Sequence, residues 1–105
     1  MSANYGVCIY RRGIESGTLD AEWLEPGMAA PCRGCAVGGP ADSVEGSYKV
    51  TYFCAEGGVA AQFDLTIERN GKAYLLSWSK KGQTACTGIG IPLPDGGIAL
   101  AYHAI

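Results

Sequence analysis

The sequence has no apolar run that approaches the roughly 20 residues a helix needs to cross a bilayer. Its first five residues also lack the basic and apolar regions of a secretory signal peptide. These absences predict no membrane partner and a cytoplasmic protein, with a leader removed from a longer precursor as the open alternative.

A strong charge of either sign is missing too. The formal net charge is −2, and the eight Lys and Arg residues are scattered apart from Arg11-Arg12 and Lys80-Lys81. Nucleic-acid-binding domains gather basic residues on one face. We therefore expect no nucleic-acid partner.

Groups for a catalytic or metal site are few. His103 is the only histidine and lies near the end of the chain, where fraying disturbs catalytic geometry. Cys32 and Cys35 form a CxxC motif, but no helix follows to lower a thiol pKa, and on a strand they would point to opposite faces. No second CxxC or nearby histidine completes a four-ligand zinc site. The sequence predicts no catalytic residue, no metal site and no cofactor.

The five cysteines are an odd number, whereas secreted domains usually pair their cysteines. The simpler interpretation is that reduced cysteines act as small buried hydrophobic side chains. A disulfide with leftover thiols is the alternative.

The spacing of apolar residues is typical of strands and not of helices. Phe63, Leu65 and Ile67 alternate with polar residues, as in a strand with one face in water. Asn70-Gly71 is a strong hairpin signal because a type I′ turn needs positive φ at both central residues. The return strand then has one apolar face, formed by Tyr74, Leu76 and Trp78.

The chain reads as one four-strand pattern written twice, at residues 4–54 and 61–105. Residues 7–13 match 65–71, Trp23 matches Trp78, 32–37 match 86–91, and 46–52 match 96–102. Residues 18–25 alone favour a short helix, with a Thr cap and with Leu19 and Trp23 at helical spacing. The repeat assigns them to a strand, and we follow the repeat.

Eight strands joined by short turns predict an all-β fold with antiparallel pairing, because parallel pairing needs long crossovers. Closure removes exposed sheet edges. We therefore predict an eight-stranded antiparallel up-and-down barrel built from the two repeats, as a single domain over residues 1–105, with a two-sheet β-sandwich as the alternative.

Three motifs carry a resemblance to known proteins. Gly-x-Tyr-x-Val-x-Tyr at 46–52, Tyr-x-Leu-x-Trp at 74–78 and Gly-x-Gly at 88–90 resemble small calycin-type barrels, which include avidin-like, lipocalin-like and bacterial calycin-like domains. The resemblance covers most of the chain and implies small-ligand binding at the barrel mouth, using tryptophans. The recurrent polar set of a biotin site is missing, so biotin is not carried over.

Trp23 and Trp78 are the leading candidate binding residues, as aromatic walls for a small apolar or aromatic ligand. The alternative is that both fill the core. Glycines and alanine on the neighbouring strands make room either for a ligand or for the indoles. Three interior tyrosines are added to the candidate walls: Tyr48, Tyr74 and Tyr102.

Arg11 and Arg69 are candidates for holding an anion at the rim. They continue the rows Val7-Ile9 and Leu65-Ile67, which we predict to face inward. In the alternative interpretation their stems cover the core and their charges stay in water.

The sequence thus favours a non-enzymatic barrel that binds a small apolar molecule. One alternative is a structural or protein-interaction module with a filled core, including a homodimer formed through a sheet face. Another is a small barrel enzyme that uses an interior tyrosine or carboxylate.

Overall fold

The structure, a computed structural model, describes residues 4–105, and within this range it contains eight strands and no helix. The strands are β1 (Tyr5–Arg12), β2 (Leu19–Leu24), β3 (Cys32–Val37), β4 (Gly46–Phe53), β5 (Val59–Asn70), β6 (Ala73–Lys80), β7 (Gln83–Pro92) and β8 (Ile98–Ala104). Each strand pairs antiparallel with the next, and β1 pairs with β8 to close the sheet. The predicted up-and-down barrel is confirmed, and the β-sandwich alternative is wrong.

Nothing in the described part of the chain forms a helix that could span a membrane.

Residues 19–24 form a strand despite their helix propensity, as the repeat predicted. Leu19 and Ala21 are buried on the inward face. Trp23 lies opposite Cys8 on one side and Cys32 on the other. Two neighbouring strands and a buried face outweigh a helix preference of a few tenths of a kcal/mol per residue.

The predicted orientation of β1 is wrong. Gly6, Cys8 and Tyr10 face inward, whereas Val7 is 52% exposed. Both rows of this strand are apolar, so alternation alone could not decide which row faces the core. Arg11 consequently lies on the outer face.

The two tight hairpins differ in their turns. Asn70 pairs with Ala73, so Gly71 and Lys72 are the central residues, one position later than predicted. Gly71 has φ 64°, as a type II′ turn requires at its first central residue. In the β6–β7 connection Lys81 and Gly82 have φ 53° and 80°, so positive φ occurs at both central residues, as in a type I′ turn.

The barrel has two unlike ends. At the closed end, Val44 of the β3–β4 connection is buried, and its carbonyl accepts a 2.7 Å hydrogen bond from the Tyr48 hydroxyl. The ring of Tyr48 lies so close to Gly39 that a Cβ there would fall 2.1 Å from it. The open end is formed by the last residues of β2, β4, β6 and β8 and the first residues of the other strands, and it contains the cavity described next.

Candidate functional site

The interior at the open end contains a cavity of about 320 Å³. Aromatic rings form most of its wall: Trp23, Tyr52, Phe63, Trp78 and Tyr102. Among the described residues that line the cavity, Glu25 is the only one with a formal charge at neutral pH. The site is therefore a mostly apolar recess with one acidic group at its rim.

A buried hydrogen-bond network forms the inner end of the cavity. Trp78 Nε1 donates to the Tyr52 hydroxyl at 2.7 Å and lies 3.3 Å from the hydroxyl of Tyr10, which is fully buried. The two hydroxyls also hydrogen-bond each other. All buried side-chain nitrogen and oxygen atoms of the described residues have partners. The network fixes the orientation of the Trp78 and Tyr52 rings, because breaking it would leave a buried polar group unpaired.

A second hydrogen bond organises the rim. The Tyr102 hydroxyl donates to Glu25 Oε2 at 2.7 Å. Tyr102 can lie in this position because residue 6 is a glycine, at which a Cβ would fall 2.5 Å from the Tyr102 hydroxyl. This bond ties the connection after β2 to β8 over Gly6 of β1.

The aromatic rings contact one another mainly edge to face. The centroids of Trp23 and Tyr52 are 5.8 Å apart, and those of Tyr52 and Phe63 are 6.3 Å apart. Trp78 and Tyr102 are 5.6 Å apart with tilted planes. Trp23 is also held from outside, since its Nε1 donates to the Arg33 carbonyl at 3.0 Å. The wall is thus set by contacts within the protein, which is typical of a pre-formed pocket.

Small residues on β3 and β7 make room for these rings. A Cβ on Gly34 would lie 2.9 Å from the Tyr52 ring, and one on Gly88 would lie 3.1 Å from the Trp78 ring. Gly88 thus makes room for the Trp78 indole, whereas Gly34 makes room for the Tyr52 ring.

Apart from Glu25, the titratable groups of the site are tyrosine hydroxyls and one cysteine thiol. Burial raises the pKa of Tyr10 and of Tyr52. Burial, followed by the hydrogen bond to Glu25 and its charge, raises the pKa of Tyr102. These phenols stay protonated at neutral pH, so a general-base role for them is disfavoured.

Cys86 also lines the cavity. Burial, and then the negative charge of Glu25, raises the pKa of its thiol. A nucleophilic cysteine requires the opposite shift. All five cysteines are unpaired, and alternation along β3 places Cys32 and Cys35 on opposite faces, as predicted.

Of the predicted candidates, Trp23, Trp78 and Tyr102 line the cavity, whereas Tyr48 and Tyr74 do not. Tyr48 belongs to the closed end. Tyr74 is buried beneath Arg69, whose guanidinium lies 5.7 Å from the centre of the Tyr74 ring. The structure therefore separates the candidate tyrosines into two groups.

Arg11 does not join Arg69 in an inward row, contrary to the prediction. On the outer face its guanidinium lies 3.4 Å from Glu22 and 3.2 Å from Asp95. With both carboxylates beside it and half of its side chain exposed, Arg11 is part of a surface ion-pair network of modest energetic value.

Tyr52, Phe63 and Glu25 are cavity residues that the sequence interpretation missed. Phe63 belongs to the predicted apolar row with Leu65 and Ile67, and Tyr52 ends the motif at 46–52 in phase with Tyr48, so the alternation already pointed to both. Glu25 follows Trp23 by two positions, which is the spacing of residues on one face of a strand.

No protein-family model, curated protein or solved structure matches the chain.

His103 lies outside the cavity. It is exposed on β8, and its Nε2 is 3.3 Å from the Thr87 hydroxyl. Within residues 4–105, no three His, Cys, Asp or Glu side chains are grouped so as to hold a metal ion.

Proposed function

We propose that this protein is a non-enzymatic barrel that binds a small, largely apolar molecule in the cavity at its open end. The observation that carries the proposal is the wall of five aromatic side chains around about 320 Å³ of space. This volume is near the lower limit of small-molecule sites, which are roughly 300–1,000 Å³. A ligand of one or two rings fits that size.

The organisation of the wall also supports the proposal. Trp78 and Tyr52 are oriented by the buried network, so binding would not have to order them. Pre-organised side chains reduce the entropy cost of association, which is roughly 0.5–1.5 kcal/mol for each side chain that would otherwise be immobilised.

We also propose that the two halves are copies of one calycin-type motif. Trp23 opposite Cys32 corresponds to Trp78 opposite Cys86. Gly34 opposite Tyr52 corresponds to Gly88 opposite Tyr102. In this scheme the cavity uses equivalent positions of both copies. Cys8 pairs with Trp23 and Leu65 pairs with Trp78, so Cys8 corresponds to Leu65. The alignment of β1 with β5 is therefore shifted by one residue from the sequence-based match.

Filling the cavity from β5 tests the binding proposal. Ala61 lines the cavity opposite Tyr52, so Ala61→Phe places a ring in the ligand space. With a panel of neutral one- and two-ring aromatic molecules measured by calorimetry and tryptophan fluorescence, we expect Ala61→Phe to weaken binding by about 10-fold or more, or roughly 1.4 kcal/mol.

The matched control is Gln62→Phe, which adds the same ring to the exposed face of the same strand. It should leave affinity unchanged. If neither this panel nor a charged small molecule of similar size binds the wild-type protein, the proposal fails.

A second candidate function is a self-associating interaction module, and one surface favours it. Leu75, Ile89, Ala101 and Val7 are exposed and lie directly opposite one another on β6, β7, β8 and β1. We call this set the outer apolar row. Apolar side chains that are contiguous across four strands are more often found at interfaces than on an isolated surface.

A further inference from the structure

We propose that the ligand of the open-end cavity is a small organic cation with a methylated ammonium group, held by Glu25 and the faces of the surrounding aromatic rings. This inference rests on the proposed function and names the class of ligand.

The first step is the charge of the cavity wall. Glu25 is its only formally charged member among the described residues. An ionised carboxylate has about four acceptor positions, and the Tyr102 hydroxyl occupies one of them at Oε2. The carboxylate is therefore anchored in place while it retains capacity for a ligand.

The second step concerns what a neutral or anionic ligand would do to Glu25. A neutral molecule that fills the mouth removes water from the carboxylate and gives it no counter-charge, which is costly. An anion adds repulsion between like charges. A cation compensates the lost hydration, so the carboxylate favours it over a neutral ligand of the same shape.

The third step is the aromatic wall itself. Ring faces carry negative electrostatic potential and attract cations, most strongly for Trp and then for Tyr and Phe. Two tryptophans, two tyrosines and one phenylalanine line this cavity. Aromatic walls with a nearby carboxylate suit a methylated ammonium, whose diffuse charge needs no hydrogen bonds and whose methyl groups fit an apolar recess.

One basic residue already uses this property. The Lys80 ammonium lies 5.2 Å from the centre of the Phe63 ring. Lys80 is exposed at the end of β6 and is outside the cavity lining. It acts as an internal competitor for one ring of the wall, so its removal should strengthen cation binding.

The test compares choline with 3,3-dimethyl-1-butanol, which has the same shape without the charge. Calorimetry on the wild-type chain should show choline binding about 10-fold or more tightly than the neutral molecule. Nε-trimethyllysine is the third ligand, because it carries the same charged head as choline. Comparing its affinity with that of choline distinguishes a methylated lysine side chain from a free small cation as the source of the ammonium group.

Three variants then locate the interaction. Glu25→Gln should lower choline affinity by about 10-fold while leaving the neutral molecule unaffected, and Lys80→Met should raise choline affinity by about two-fold or more. Glu22→Gln, on the outer face of β2, is the charge-matched control and should change neither. Lys80→Met is an independent readout if Glu25→Gln does not fold.

The outcomes separate the two proposals. If the neutral molecule or the aromatic panel binds and choline does not bind more tightly, the cation inference is overturned and the binding function stands. If nothing binds, both fall. If choline binds equally well to the wild type and Glu25→Gln, the role assigned to Glu25 is overturned.

Discussion

Cys8 is a buried thiol whose environment makes its charged form costly. It is 2% exposed on the inward face of β1, opposite Trp23. Burial raises its pKa from 9.0 to about 12. Because the folded pKa is the higher one, the folded state favours the protonated thiol.

This shift predicts a loss of stability at alkaline pH. Below pH 9 the thiol is protonated in both the folded and the unfolded state, and its contribution to the free energy of unfolding is fully present. Between pH 9 and about 12 the thiol ionises only in the unfolded state, so this contribution is lost as the pH rises. The free energy of unfolding, measured with guanidinium under reducing conditions, should fall less steeply with rising pH in Cys8→Ala than in the wild type. The difference in slope should be up to about 1.4 kcal/mol per pH unit in that range.

Cys54→Ala is the matched control for this prediction. It removes a thiol at an exposed contact with the Gly58 carbonyl, so a pH slope that changes as much as in Cys8→Ala would point to a general effect of losing a cysteine. Equal slopes for Cys8→Ala and the wild type would contradict the assignment to Cys8.

Single residues also explain which parts of the site could be predicted. Trp23 and Trp78 were found because they occupy matching places in the proposed repeat. Glu25 was missed because it lies just beyond the end of β2, so its two-residue spacing from Trp23 was the only local sign of its direction. Its role depends on Tyr102, 77 positions away in sequence, and no local pattern records that contact.

At the scale of elements, the β6–β7 hairpin has one turn residue in an unfavourable backbone conformation. Lys81 is the only non-glycine residue with positive φ among residues 4–105. A side chain with a Cβ pays about 1 kcal/mol in this region, while Asn tolerates it better. We expect Lys81→Asn to raise the free energy of unfolding by about 0.5–1 kcal/mol in urea titrations.

The second hairpin provides the comparison. Lys72 is a central turn residue of the β5–β6 connection and does not have positive φ. Lys72→Asn should therefore give no gain. A similar gain from both substitutions would mean that loss of a surface charge, and not backbone conformation, is responsible.

The orientation of β1 shows where element-level prediction fails. Residues 6–10 contain apolar side chains at both odd and even positions, so either row could have filled the core. The barrel selects the row with Tyr10 because the Tyr10 hydroxyl reaches Tyr52 and Trp78. That choice is made by partners on β4 and β6, which the sequence of β1 does not contain.

For the whole molecule, the outer apolar row predicts self-association. Ile89 is 67% exposed and Val7 is 52% exposed, on adjacent parts of the sheet. If this face pairs with a second copy, light scattering with size exclusion should give a concentration-dependent dimer that Ile89→Lys converts to a monomer, since burying an unpaired charge opposes association.

Val59→Lys is the control for this experiment, because Val59 is 61% exposed on β5 and lies outside the row. It should retain the wild-type mass. A wild-type protein that stays monomeric at all concentrations would show that the row is not a dimer interface.

Strand number, pairing order and closure could all be predicted from turn spacing and alternation, since a meander of eight short strands has few ways to protect its edges. The position of the cavity could not. It lies at the end of the interior opposite Val44, a buried residue in an irregular connection without periodicity.

Closure by Val44 and Tyr48 also has a kinetic consequence. An interior with one entrance admits no passage from end to end, so a second molecule cannot enter behind the first and displace it. An occupant of the recess must leave by the route it used to arrive. Its rate of departure should therefore be the same however much competitor surrounds the protein, and stopped-flow displacement at rising competitor concentration would reveal a single, constant rate.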